Sequence, residues 1–413
     1  MTETSKPLIS IIIVNYNGVN KLPKLIASIN DQVYDHLEVI IVDNASIDES
    51  LTYLDKHLPN ATVIKNQRNI GFAEANNQGV KVANGEYLMI LNNDTHFNKH
   101  LVGQLYENLK NLKVNAVAPL ILFSKLYVEV NISSSRPILI SSTIKQNALA
   151  IKNVIFPKDV ESKWIKGLQF FLIDQNLKIK LPITNPEINQ NLELQVKQTN
   201  MINTTVSVNN HFKQALNKVE ENIFVNLTAN YIKQNSKQII NSKGLKIENK
   251  TCKTYDISFG ETFQSQENIT EVSGLSGCCF MIKKTSLVDS NIFNPSYFAY
   301  YEDTDFFLSL NKRLGNKNLV CQALHLFHDV SSSFSQYENE KIYLLERNRL
   351  LTAKKHLPLL NWIKEWLIFY SHTLYMNFGG NQDYGIHRKQ IHNKVCIDLL
   401  KNRTITNLSS IFA

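Results

Sequence analysis

The chain has 413 residues, 43% of them hydrophobic and 19% charged. That length calls for two or three structural units, and the composition excludes a disordered or fibrous protein. A formal net charge of +8 favours anionic partners such as phosphates or an acidic membrane surface, but Lys and Arg are scattered and no RNA-recognition or zinc-finger signature occurs, so nucleic acid is not an expected partner.

The N-terminal MTETSKPLIS is polar before a short strand, which reads as neither signal peptide nor membrane anchor. Leu8 to Val14 is an apolar run long enough for a buried strand and ends in Asn15-Tyr16-Asn17-Gly18. Leu22, Leu25, Ile26 and Ile29 then share one helical face. A second strand is predicted over Leu37 to Val42, followed by Asp43. Ser46 and Glu49 have the spacing of a helix capping box. A third strand, Ala61 to Ile64, leads into a helix predicted to run through Asn84, with Gly85 where a C-cap belongs. The fourth strand, Leu88 to Leu91, is followed at once by Asn92-Asn93-Asp94. That trio reads either as an ordinary turn or as a binding loop, since ligands of open α/β sheets sit outside the carboxyl ends of the strands.

Strands and helices alternate, which predicts an α/β fold with a doubly wound, mostly parallel sheet. Asn15, Tyr16, Asp43, Asn69, Asn76 and Asp94 would line one rim of that sheet. No G-x-G-x-x-G follows the first strand and no Walker loop is present, which argues against a dinucleotide fold and an NTPase. A rim of carboxylates in place of a glycine nest needs a cation to accept phosphates, and so points to a metal-bridged diphosphate.

From about Phe123 to Gln238 the chain turns rich in Asn, Gln, Ser and Lys, and apolar residues alternate strictly: Leu126, Val128, Val130, Ile132; Leu177, Ile179, Leu181, Ile183; Leu192, Leu194, Val196. Period two predicts half-buried antiparallel strands, hence an inserted all-β module, a small sandwich or barrel, with one helical piece near His211 to Glu221. An acceptor- or glycan-binding role and a plain spacer are both open for it.

In VSGLSGCCFMI, Gly274 and Gly277 read either as turn glycines or as room for a ligand beside the backbone. The five cysteines, Cys252, Cys278, Cys279, Cys321 and Cys396, are odd in number and lack metal-type spacing, which argues against disulfides and zinc and for a cytoplasmic protein. Further on, YYEDTDFF sets Glu302, Asp303 and Asp305 among aromatics. Desolvation and mutual repulsion would raise a carboxylate there and make it a base, while a helix start would also explain three acids. His325 and His328 follow, then a Ser-rich stretch from Asp329 to Gln336 that would suit a lid. Arg347, on the next helix, could clamp phosphate with its planar fork, or lie on a solvated face. Leu359 to Met376 carries Lys364, Glu365 and His372, which suits an interfacial or packed amphipathic helix better than a spanning one.

The order and spacing of SIIIVNYNG, EVIIVDNASIDES, NIGFAEANNQG, GEYLMILNNDT, VSGLSGCCFMIKK, FAYYEDTDFFL and ERNRLL resemble a family-2 glycosyltransferase of the GT-A fold, close to the rhamnosyltransferase-like group. The resemblance covers roughly residues 7 to 122 and 240 to 352. It implies a nucleotide-sugar-binding half at 1–122, an acceptor and catalytic half at 239–338, the module between them at 123–238, and a C-terminal helical region at 339–413. It implies inverting transfer from a UDP- or dTDP-linked sugar, rhamnose among those considered, to a hydroxyl of a glycan or lipid-linked acceptor. Asp303 would be the general base, with Glu302 its neighbour on the acceptor side. Asp94 and His328 would hold Mg2+ or Mn2+. Asn15, Tyr16, Asp43, Asn69, Asn76, Asn92, Asn93, Gly277 and Arg347 would bind the donor. The family's metal motif is Asp-x-Asp, and Asn92 stands at its first position here. The expected location is cytoplasmic, with peripheral contact at the inner face of the cell membrane as an option. Two other classes compete: a glycan-binding protein on an inactive transferase scaffold, and a sugar nucleotidyltransferase, whose Gly-rich basic loop SIIIVNYNG lacks.

Overall fold

The computed structural model describes residues 6–165, 168–198, 204–209, 212–330, 337–378, 385–401, 403–405, 407–408 and 411–412. The first apolar runs become β1 (Ile9–Asn15), β2 (Leu37–Asp43), β3 (Thr62–Lys65) and β4 (Tyr87–Asn92). Between them lie α1 (Leu22–Asn30), α2 (Ser50–His57) and α3 (Phe72–Val82). These strands pair in parallel in the order β3-β2-β1-β4. Register sets Asn15 opposite Asp43 and Val14 opposite Asn92, so the polar residues that end three strands fall at one level.

Beyond β4 the sheet continues through the antiparallel strand Cys279–Lys283, then β6 (Ala116–Phe123), Asn318–His328 and Ile269–Val272. The short β5 (Thr95–Phe97) and the strand Ile240–Ser242 pair beside them. Six strands of this ten-stranded sheet, β1 to β4, β6 and Asn318–His328, run one way, so the mostly parallel architecture is present. Both faces are covered, which is why β1 is apolar throughout. Ile9, Ile11 and Ile13 enter one core with α1 and α4 (Leu101–Leu112), and Ile12 enters the other with α3.

The module is a β-sandwich. One sheet carries Ser162–Ile165, Leu168–Ile173, Ile138–Gln146, Gln190–Gln198 and Glu220–Leu227, the other Asn176–Ile183, Leu126–Ser134, Thr204–Val208 and Phe212–Leu216. The alternating residues Val128, Val130, Ile132, Leu177, Ile179, Leu181, Leu192, Leu194 and Val196 meet in its core. The helical piece expected near His211 to Glu221 is instead two strands, Phe212–Leu216 and Glu220–Leu227, that join opposite sheets of the sandwich, His211 lying outside the described residues. The module's helix is α5 (Ala229–Asn235), whose N-cap Thr228 accepts from the Tyr231 N–H. Four helices complete the chain: α6 (Glu302–Leu314), α7 (Glu338–His356), α8 (Leu359–Phe378) and α9 (Gly385–Leu400).

Two local expectations are overturned. Helix α2 begins at Ser50, and Ser46 does not cap it; its N–H and hydroxyl both turn back to the Asp43 carboxylate, at 2.9 and 2.6 Å. Gly85 is not a helix C-cap, because α3 ends at Val82. Its lack of a side chain serves close approach to β1: a Cβ there would lie 2.5 Å from Ser10 Oγ and 2.8 Å from the Leu8 carbonyl oxygen.

Candidate active site

Three strand ends build the donor side. Asn15 Nδ2 donates to Asp43 Oδ1 at 3.0 Å, and Asn15 Oδ1 accepts from Asn93 Nδ2 at 2.9 Å. With the two bonds from Ser46, the Asp43 carboxylate is buried to 1% exposure and rigidly oriented. Tyr16 sits next to this network, half-buried.

Asp94 follows β4 and is buried. His328, at the end of its strand, places Nε2 3.1 Å from Asp94 Oδ1, while its Nδ1 lies 3.0 Å from Asn241 Oδ1. Burial acts to lower the His328 pKa, but the neighbouring Cys278 sulfur and the Asp94 carboxylate outweigh it and hold the imidazole well above its usual value. Asp329, the next residue, donates its backbone N–H to the Asp94 carbonyl at 2.7 Å and accepts from Ser124 Oγ. The rest of the expected lid, residues 331–336, lies outside the described residues.

A two-residue turn joins this pair to the acidic stretch. The Gly277 N–H donates to Asp303 Oδ2 at 3.0 Å. Cys278, next in the chain, places its sulfur beside His328 and its carbonyl oxygen 2.9 Å from the Asn92 N–H. Asp94 and Asp303, 209 positions apart, are therefore on the same side of the sheet and linked through adjacent residues.

Glu302 and Asp303 open α6. Asp303 Oδ1 accepts from Thr304 N at 2.7 Å, and one Glu302 carboxyl oxygen is buried with no hydrogen-bond partner among the described residues. Burial raises both acids, Glu302 further because the Asp303 charge adds to it, whereas the Gly277 and Thr304 N–H groups oppose the rise at Asp303. Of the two, Glu302 therefore holds a proton more tightly than Asp303. Asp305 points elsewhere, paired with Lys355 Nζ at 2.8 Å and His356 Nε2 at 2.6 Å on α7.

The backbone entering these acids is contorted. Phe298 has φ 64° and ψ −64°, and the Ala299 N–H bonds the Tyr297 carbonyl at 2.7 Å, the geometry of a strained γ-turn. Tyr300 and Tyr301 follow at φ 68° and 70°. Each such residue costs about 1–3 kcal/mol. The Phe298 carbonyl is held by the first N–H groups of α3, Phe72 at 2.6 Å and Ala73 at 3.1 Å. Gly71, at φ 90°, must be glycine, since a Cβ would lie 2.6 Å from that carbonyl oxygen.

Three expected donor residues fall elsewhere. Asn69 accepts from the Gly71 N–H at 2.9 Å and shapes this turn. Asn76 is buried under α3, donating to the Phe72 carbonyl. Arg347 does not reach the cleft as a phosphate clamp: it is 2% exposed, with Nη1 on the Ser296 carbonyl at 3.1 Å and Nη2 on the Arg403 carbonyl at 2.6 Å. Conversely, Asn241 and Asp256 join the site unforeseen. They lie 87 and 72 positions before His328, and no local spacing ties them to it.

Comparison with known proteins agrees with this geometry. Residues 10–173 match the model of the family described as glycosyl transferase family 2. Over 90 residues, 22% of this chain, an uncharacterized glycosyltransferase of Haemophilus influenzae is 36% identical, the match covering 30% of that protein. Over 194 residues the Escherichia coli protein WfaP, a UDP-Glc:alpha-D-GlcNAc-diphosphoundecaprenol beta-1,3-glucosyltransferase, is 25% identical, covering 42% of this chain and 77% of WfaP. In the first three curated relatives the matching stretch spans 28% to 38% of the relative's length. A crystal structure of GalNAc-T7 with UDP, GalNAc and Mn2+ aligns with a TM-score of 0.44 at 12% identity, covering 99% of this chain and 56% of that one.

The carboxylate cluster gives a pH test. Burial pushes Asp256 up to about 6, a bond from Ser242 opposes this and the Asp303 charge adds to it. A carboxylate raised in the folded state favours folding below its unfolded pKa of about 4 and loses that contribution as pH rises through about 6. Asp256→Asn cannot ionise, so its thermal stability relative to the parent should be greater at pH 8 than at pH 5, by about 1.4 kcal/mol. A difference that stays flat across that range would show that Asp256 titrates normally.

Proposed function

We propose that this chain, whose residues 10–173 match the glycosyl transferase family 2 model, is an inverting family-2 glycosyltransferase that moves a sugar from a nucleoside diphosphate donor to an acceptor hydroxyl. The observation that carries this reading is the Gly277–Cys278 turn, which holds Asp303 by one residue and meets the Asp94–His328 pair by the next. A proton acceptor and an anion-binding corner then share one cleft. Residues 1–122 and 239–338 form the transferase, interrupted by the module at 123–238 and followed by the helical region 339–413.

The roles follow from the chemistry of each side chain. Asp43, with acceptor capacity left after three hydrogen bonds, takes the imide N–H of a uracil or thymine base. Tyr16 packs on the ring, and Asn92 and Asn93 face the ribose and phosphates. Asp303 accepts the proton of the incoming hydroxyl as its oxygen bonds the anomeric carbon from the face opposite the leaving group. The anomeric carbon–oxygen bond breaks, the nucleoside diphosphate leaves with the electron pair, and configuration inverts. Glu302, kept neutral, can donate a hydrogen bond to the acceptor.

A hard divalent cation fits the Asp94 side of the cleft. Magnesium and manganese are commonly held by one or two protein groups and completed by substrate phosphates, and Asp94 with His328 supplies a carboxylate and an imidazole. When bound, such an ion would offset the charge that develops on the departing diphosphate. With Asn92 in place of a second acid, the site has less negative charge than an Asp-x-Asp pair.

For the acceptor, the name of WfaP, with its diphosphoundecaprenol substrate, supports a lipid-linked glycan, and the rhamnosyltransferase-like motif order supports rhamnose among the candidate sugars. Helix α8 supports contact with a membrane surface. It is not long and apolar enough to cross a membrane, as is true of every helix among the described residues. Its buried stripe is only Glu365, Phe369, Thr373 and Met376, while Leu359, Leu360, Leu367, Ile368, Leu374 and Phe378 are exposed, Leu360 at 79% and Phe378 at 82%. Of its two charged residues, Glu365 is paired with Arg349 at 2.8 Å, which leaves Lys364 at the surface. Exposed leucines and aromatics beside a lysine suit an anionic lipid interface.

Three measurements test this reading. A panel of UDP- and dTDP-sugars should reveal one that is bound and slowly hydrolysed. With it, Asp303→Asn should keep donor affinity and lose transfer by at least about 100-fold, and retained turnover would remove Asp303 as the base. Transfer should stop in EDTA and return with Mg2+ or Mn2+; full activity in EDTA would take the cation from Asp94. Finally, the protein should sediment with phosphatidylglycerol vesicles more than with phosphatidylcholine. Leu360→Asp with Leu367→Asp should abolish this, and undiminished binding would exclude α8 as the contact.

A further inference from the structure

We infer that Asn348, on α7, is a positioning residue that holds the general base in place through the strained backbone before it. The inference rests on the reading of Asp303 as the base. Asn348 is wholly buried, and its Nδ2 reaches three consecutive-turn carbonyls: Tyr297 at 2.9 Å, Ala299 at 2.9 Å and Tyr300 at 2.8 Å. A carboxamide has two hydrogens, so one is shared. These carbonyls bracket the γ-turn at Phe298 and end two residues before Glu302.

The orientation of the amide is itself fixed. Arg347 Nη1 donates to Asn348 Oδ1 at 2.8 Å, which turns the NH2 group toward the turn. Arg347 also holds the Ser296 carbonyl at 3.1 Å, so adjacent residues of one helix grip both ends of the segment. One helical turn further on, Thr352 bonds the Tyr297 hydroxyl at 2.9 Å. On the opposite side, Phe72 and Ala73 take the carbonyl that Asn348 leaves, that of Phe298. Every carbonyl from Ser296 to Tyr300 thus has a donor, and all five draw it from a side chain of α7 or the N-terminus of α3. A backbone in three successive unfavourable conformations, Ala299 excepted, relaxes when such donors are lost. Relaxation would rotate the start of α6 and carry Asp303 away from Gly277.

Asn348→Asp is the informative substitution. It keeps the size of asparagine and the oxygen facing Arg347, but offers no N–H to the carbonyls. Hydrogen exchange of the amides in residues 298–303 should quicken about tenfold. UDP affinity by calorimetry should stay close to that of the parent, because the donor side is untouched. Turnover of the sugar nucleotide found active, with UDP-glucose as the first probe, should fall about 100-fold in kcat with little change in donor KM. Asn348→Ala should behave alike, and Asn348→Ser, which retains one donor, should fall between; Ser and Ala stand in if the aspartate variant does not fold. If Asn348 merely fills space, the isosteric aspartate will leave exchange and kcat near the parent values, and that overturns the proposal. Faster exchange with kcat unchanged overturns it too. Should the parent turn over no sugar nucleotide at all, it is the proposed function that fails, and the exchange rates alone still decide whether Asn348 holds the turn.

Discussion

The hydrogen bond from the Gly277 N–H to Asp303 is the contact on which the site depends. It joins the two halves of the cleft through backbone rather than through a flexible side chain. Because Cys278 follows immediately and its carbonyl accepts from the N–H of Asn92, the position of the acid is referred to the end of β4. The same N–H acts electrostatically. Burial raises Asp303 and Glu302 together, and a donor to Asp303 holds its rise below that of Glu302. A Cβ at Gly277 would meet the Asp303 carboxylate at 3.5 Å, an ordinary van der Waals contact, so it is the Gly277 backbone N–H that fixes the acid.

Holding that contact requires a strained approach. Phe298, Tyr300 and Tyr301 all have positive φ, at about 1–3 kcal/mol each. Against this stand five hydrogen bonds from Phe72, Ala73 and Asn348, at about 1 kcal/mol net apiece. The two sums are comparable, so the turn stands only while these donors are in place. Helix α7 therefore braces the segment that leads into Glu302 and Asp303. Through Lys355, His356 and Asp305, α7 also fixes the first turn of α6.

Where residues act through periodicity or strand ends, the sequence was readable. The run SIIIV announces a strand buried on both faces, and parallel register then brings Asn15, Asp43 and Asn92 level without further information. The alternation of Val128, Val130 and Ile132 likewise announces a sandwich core. What misled was chemistry that serves two purposes. Ser46 and Glu49 have capping-box spacing, but a buried carboxylate three residues back is a stronger claim on the serine than a helix end exposed to water. Arg347 has the fork for a phosphate, and spends it on carbonyls because the strained turn packs against its helix. Asn348 stands in the ERNRLL motif, but nothing local reveals what it holds: its partners lie some 50 positions away and are backbone atoms, which have no sequence identity.

The module illustrates the same separation of local and distant constraints. Gln238 donates to the Phe123 carbonyl across 115 positions, Phe123 donates to the Ile239 carbonyl at 3.0 Å, and Ile240 pairs with Leu122. The chain therefore leaves and re-enters the large sheet at neighbouring atoms. To that sheet the whole sandwich is a connection with closed ends, and since the entropy of closure grows only with the logarithm of length, its size adds little cost. Having its own core, it offsets its own ordering. Its few contacts back to the transferase are placed beside the cleft: Asn153 donates to the Val330 carbonyl at 2.9 Å, and Lys180 to the Gly260 carbonyl at 2.6 Å. Val330 is two residues past His328 and Gly260 four past Asp256. An insertion tolerated for one physical reason, closed ends, is thereby set beside the segments that carry His328 and Asp256.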